Sequence, residues 1–242
     1  MTSLLIRLIV VLGLLLPARG VLAQTADPSI PVLCYHVVST APKGRYELSL
    51  AKFRDQMAYL KRNGFTPLSI AQYYEIMTRQ AAAPAKPILL TFDDNTADFA
   101  TNVVPVLQEH GFTAVQFAVS GWVNRPGYLT SNQLGTLAAG YDIQNHTETH
   151  DDLSSLSHAD AYGEVIHASD LIQAWTGKRP EFLAYPYGRS DAVAQNAVRE
   201  AGIKMAFTVS GGKTGPGDNF LALNRYLIPS SETLSSFAKK VN

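Results

Sequence analysis

Short apolar runs alternate with longer amphipathic stretches along almost the whole chain, and that order constrains the fold more than any single residue does. Runs at 30–36, 65–69, 88–94, 113–119, 141–145, 182–187, 204–209 and 221–228 have the length of strands. Stretches near 50–62, 70–80, 98–110, 130–139, 157–176, 190–201 and 231–240 carry helical spacing between them. Such alternation builds β/α units around a mostly parallel sheet. The expected fold is therefore α/β, an irregular (β/α) barrel of seven or eight strands. An open doubly wound sheet is the competing architecture, but no glycine-rich phosphate fingerprint follows the first run. Gly211-Gly212-Lys213-Thr214 lacks the earlier glycine of a phosphate loop and reads as a flexible loop.

The beginning of the chain reads as an export signal. Arg7 precedes an apolar run at 8–16, and Val21-Leu22-Ala23 offers the small-residue pattern of a cleavage site. Residues 1–23 are expected to be a signal peptide, with the mature chain starting at Gln24 and the protein exported, periplasmic or secreted. The run falls short of the roughly 20 residues that cross a bilayer, so no transmembrane anchor is expected after cleavage. Residues 24–242 suit one domain. Twenty basic and 20 acidic residues balance, which argues against nucleic acid as a partner and suits a neutral glycan. Cys34 is the only cysteine, so no intrachain disulfide can form, and a small buried hydrophobe is its expected role.

Two strand ends carry the chemistry. The run 88–94 finishes in Asp93-Asp94, where a β/α barrel builds its active site, although Asp pairs also serve as ordinary caps and turns. The run 141–145 leads into His146-Thr147-Glu148-Thr149-His150, whose two imidazoles can converge on one ion from a helical turn or from a strand-to-helix corner. Two histidines and Asp94 leave part of a metal's coordination open to solvent, as hydrolysis needs, and Asp93 is then free to serve as a base. The cofactor expected is one divalent metal ion, zinc first, with cobalt, nickel or iron also fitting the donors. A zinc-protease helix is disfavoured, because Glu148 stands one position beyond the place of that motif's base. A third element, Leu183-Ala184-Tyr185-Pro186-Tyr187-Gly188, ends another strand run. There Tyr187 could line a pocket and a backbone N–H could meet an oxyanion.

These motifs resemble the polysaccharide deacetylases of the NodB-homology type, carbohydrate esterase family four, over residues 30–229. Thr91-Phe92-Asp93-Asp94 is similar to the first family motif, His146-Thr147-Glu148-Thr149-His150 to the second, and Tyr185-Pro186-Tyr187-Gly188 to the third. The resemblance implies that Asp93 is the catalytic base, that Asp94, His146 and His150 bind metal, and that the Tyr187 N–H contributes to the oxyanion hole. It also implies an acetylated polysaccharide or oligosaccharide as substrate. Pro31-Val32-Leu33-Cys34-Tyr35-His36 looks like the subgroup of exported poly-N-acetylglucosamine deacetylases. Tyr185, Pro186, Trp122 and Arg225 are the expected substrate contacts.

The chain also departs from the family pattern. Ala184 stands where an arginine usually orients the catalytic aspartate, no Asp-Trp pair marks the fourth motif, and the stretch 223–228 lacks the histidine of the fifth. His36, ending the first strand run, is the candidate replacement acid, with a structural hydrogen-bonded histidine as the alternative. Arg225 is the candidate for the charge that Ala184 lacks. The alternative function is a glycan-binding or assembly protein that keeps a metal site without catalysis.

Overall fold

The computed structural model describes residues 27–242, so the expected signal peptide lies outside the described residues. The strands are β1 (Ile30–Tyr35), β2 (Val37–Ser39), β3 (Glu47–Ser49), β4 (Thr66–Pro67), β5 (Pro87–Phe92), β6 (Val115–Ala118), β7 (Asp142–Asn145), β8 (Phe182–Ala184), β9 (Met205–Phe207), β10 (Lys213–Thr214) and β11 (Tyr226–Leu227). The helices are α1 (Leu50–Arg62), α2 (Ile70–Met77), α3 (Val104–His110), α4 (Ser131–Leu137), α5 (His158–Thr176), α6 (Ala192–Glu200) and α7 (Leu234–Val241). Among the described residues no helix is long and apolar enough to cross a membrane.

The main sheet runs β10-β1-β5-β6-β7-β8-β9, parallel throughout except for β10. Strand alternation sends one set of side chains inward. Ile30, Val32, Leu89, Val115, Phe117, Ala184, Met205 and Phe207 form an interior cluster, closed at one end by Ile70, Tyr73, Ile76 and Met77 of α2. The opposite faces pack under the helices, Leu33, Leu90 and Phe92 against α1 and α3, and Leu183 and Ala206 against α6. The expected (β/α) barrel is the observed architecture.

Three expected elements differ. The run at 221–228 is not one strand, because it lies between two partners and serves each in turn. Leu223 bonds to Ala206 beside β9, and β11 then crosses to pair with β1. The run at 65–69 contributes only the two residues of β4. The Gly211–Thr214 stretch is not wholly a loop: Lys213 and Thr214 form β10 on the edge of β1. Buried Thr214 hydrogen-bonds there to Ile30 O and to the Tyr73 hydroxyl.

Candidate active site

Where β5 ends, its alternation decides which carboxylate points where. Leu89 belongs to the interior cluster, and Thr91 and Asp93 follow it at the two-residue period, so both face inward. There they meet Arg225, whose guanidinium donates from Nη1 to Asp93 Oδ1 at 2.8 Å and from Nη2 to Oδ2 at 2.7 Å. Arg225 also donates to Thr91 Oγ1 at 3.0 Å and to Thr208 O at 3.0 Å, and Cys34 Sγ donates to Asp93 Oδ2 at 3.3 Å. Continued alternation would turn Asp94 outward, but the strand has ended. Left-handed backbone at Asp94 (φ 73°) and Asn95 (φ 41°) brings the Asp94 carboxylate back to the same end of the barrel.

Past β7 the chain makes a second tight turn. Buried Asn145 accepts from Thr147 N–H at 2.7 Å and donates to Val165 O and Ser169 Oγ of α5. Thr147 (φ 67°) and His150 (φ 70°) take left-handed backbone, a costly conformation for a β-branched residue such as threonine. His146 Nδ1 lies 2.7 Å from Ala184 O, which requires the proton on Nδ1 and leaves Nε2 as the free ligand atom. The Nε2 atoms of His146 and His150 each stand 3.5 Å from Asp94 Oδ1. The two histidines thus meet across a strand-to-loop corner rather than a helical turn, which removes the zinc-protease geometry.

Burial and neighbouring charge set the protonation states. Burial works against an ionised Asp93, but the Arg225 guanidinium and His146 outweigh it and hold that carboxyl well below the usual carboxylate range. Burial likewise opposes an ionised Asp94, and His146 outweighs it and lowers its pKa. Burial pulls His150 down to about 4, with His146 adding to the effect. His36 is lowered by burial against the pull of Asp93 and Asp94. His146 is raised, since the two carboxylates outweigh the effect of burial.

The donors fit a divalent metal. Asp94 Oδ1 is buried without a hydrogen-bond partner, an expensive arrangement unless something else satisfies it. It forms with His146 and His150 a trio whose ligand atoms all lie within 4.8 Å of one another. Ligands about 2.0–2.1 Å from a tetrahedral zinc ion stand roughly 3.4 Å apart, close to the spacing found.

The pocket around this trio has a volume of about 150 Å³ and is lined by His36, Tyr46, Asp93, Tyr187 and Leu227 among others. His36 stacks on Tyr46 with centroids 5.0 Å apart, its Nδ1 buried without a partner, and a ring nitrogen lies within 4.8 Å of an Asp93 oxygen. Tyr187 is 61% exposed, has left-handed backbone (φ 58°), and sets its ring against His150 at 4.8 Å. The same imidazole also meets the Trp122 ring at 4.9 Å.

Three of the expected substrate contacts are buried. Arg225 is wholly buried and bound to Asp93, and borders the pocket through that pair. Tyr185 is 1% exposed with its hydroxyl donating to Leu221 O and lines the pocket from below its surface, and Pro186 is buried beside it. Cys34 is buried as expected, but it also touches the carboxylate. Tyr46 and Glu164 escaped sequence reasoning: Tyr46 lies outside any periodic run, and Glu164 looks like any charged position on a helix.

The family model for polysaccharide deacetylases matches residues 80–206, about half of the chain. The Bacillus subtilis protein YxkH, named for the same family, is 26% identical over 216 residues, covering 88% of this chain and 77% of that protein. The poly-β-1,6-N-acetyl-D-glucosamine N-deacetylase of Escherichia coli K12 is 25% identical over 232 residues; 78% of this chain is covered but only 34% of that longer protein. In three dimensions the chain is similar to the Streptococcus pyogenes deacetylase PplD, with a TM-score of 0.83 over 89% of this chain and 99% of that one, at 23% identity. Family model, fold and the strand-end motifs agree, and the chain belongs to the polysaccharide deacetylase family.

Proposed function

We propose that residues 24–242 act outside the cytoplasm as a metal-dependent deacetylase, removing N-acetyl groups from N-acetylglucosamine units of a polysaccharide. The carrying observation is the convergence of Asp93, Asp94, His146 and His150 on one small pocket. At about 150 Å³ it has room for an acetamido group. The sugar ring would rest at the mouth, where Tyr46 and Tyr187 are exposed. The E. coli relative, by its name, removes N-acetyl groups from such a polymer, which supports the choice of substrate.

Asp94, His146 and His150 would hold the ion, whose chemistry is that of a Lewis acid polarising the acetyl carbonyl and easing deprotonation of water. Asp93 takes the proton from the attacking water. Arg225 and Cys34 fix its two oxygens, leaving lone-pair capacity for that proton. Gly188 and Arg189 supply the N–H donors of this turn, which leaves the Tyr187 N–H to meet the developing oxyanion in the proposed reaction. His36, with a ring nitrogen within 4.8 Å of an Asp93 oxygen at the edge of the pocket, would donate a proton to the departing nitrogen as the C–N bond breaks. Export is supported by the amino-terminal sequence alone.

Acetate release from an N-acetylglucosamine oligosaccharide tests the reading. Activity should disappear on chelation, return with added metal, and be absent from His150→Ala at the same metal concentration. Release that persists undiminished after complete metal removal overturns it.

A further inference from the structure

We infer that Glu164, on α5, is a positioning residue that holds the His146–His150 loop in its metal-binding shape; this rests on the metal reading above. One half-buried carboxylate makes three hydrogen bonds to that loop. Oε2 accepts from the N–H of Glu148 at 3.0 Å and of Thr149 at 2.8 Å, and Oε1 accepts from the Thr149 hydroxyl at 2.9 Å. These residues lie between the two histidines, in the part of the loop that must curl for both imidazoles to face Asp94.

The loop needs such a clamp because its backbone is strained. Thr147 and His150 are both left-handed, a conformation that persists only where the surroundings over-determine it. Asn145 and the His150 N–H bond to Thr147 Oγ1 restrain the first half of the loop. Ser120 and Gly121 donate to Thr147 O and Glu148 O from the far side. The N–H groups of Glu148 and Thr149 point the other way, toward α5, and Glu164 receives both. Groups behind a metal's ligands commonly change its affinity by about 10–100-fold, because they decide how much ordering the ion itself must accomplish. Glu164 touches neither ligand side chain and acts through the peptide units that carry them.

The test measures zinc affinity of the metal-stripped protein by competition with a chromophoric chelator, alongside the metal-free thermal midpoint. Glu164→Ala should bind zinc about 10–100-fold more weakly, with little change in the metal-free midpoint. Glu164→Asp keeps the charge but withdraws the carboxylate by one methylene, so it should lose affinity similarly and serves if the alanine variant folds poorly. Glu164→Gln keeps a carbonyl oxygen for the two N–H groups and an amide that can donate to the Thr149 hydroxyl, so it should recover most of the loss. Asp170→Asn, a change elsewhere on α5 that removes an exposed ion pair with Arg179 beyond the helix end, should bind as the wild type does. Wild-type affinity in both Glu164→Ala and Glu164→Asp, or an equal loss in Asp170→Asn, overturns the inference about Glu164 alone. Zinc binding by the wild type no tighter than by His150→Ala overturns the metal reading, and this inference with it.

Discussion

Asp93 is gripped by Arg225 from 132 residues further along the chain, and both side chains are nearly or wholly buried. Removing one partner of a buried pair strands the other charge, at a typical cost of about 3–5 kcal/mol. Arg225→Met should therefore destabilise the metal-free protein by about that amount at pH 7. In the wild type the Asp93 pKa is depressed, so its stabilising contribution is present above the unfolded value near 3.9 and fades as pH falls below it. In Arg225→Met burial dominates and raises the Asp93 pKa, so that variant should gain stability as pH falls. Denaturant midpoints at pH 7 and pH 5 should show the gap between the two narrowing; a constant gap contradicts the assignment. His36 offers a second test at this scale. His36→Ala should lower turnover by about 10²–10⁴, the usual worth of acid–base catalysis, while zinc affinity stays near that of the wild type. Equal turnover removes His36 from the reaction.

Between elements, the histidine loop is packed so closely that glycine is the residue able to adjoin it. A Cβ on Gly121 would sit 2.6 Å from Glu148 O, which is backbone that cannot swing aside. Gly121→Ala should destabilise the protein by about 1–3 kcal/mol and weaken zinc binding. Gly163 lies inside α5, where an added Cβ meets nothing closer than 3.9 Å, and Gly163→Ala should stabilise by about 0.5–1 kcal/mol. Urea midpoints of the two variants should move in opposite directions. This contrast shows what the sequence could and could not reveal. Strand and helix positions were readable because periodicity is local, and so was the site end of the barrel, since Asp93-Asp94 and His146-Thr147-Glu148 directly follow apolar runs. Left-handed turns at Asp94 and Thr147, and the reach of Glu164 to the loop, depend on tertiary contacts that leave no periodic trace.

At the scale of the molecule, the eighth strand run of the sequence proved to be a segment that changes neighbours, bonding first beside β9 and then to β1. Arg225 stands in that crossover, which is why its part was hard to judge from sequence: a strand-end position suggests an open mouth, whereas a bridge between two strands carries the side chain into the interior. The site accordingly draws on residues from His36 to Arg225. The stretch 80–206 that marks the family holds both aspartates and both histidines but neither His36 nor Arg225. During synthesis, the three side chains proposed to hold the ion emerge well before the guanidinium that steadies Asp93. The last segment to be made thus stitches the ring shut and fixes the Asp93 carboxylate, so a chain clipped ahead of it lacks the partner of that buried charge.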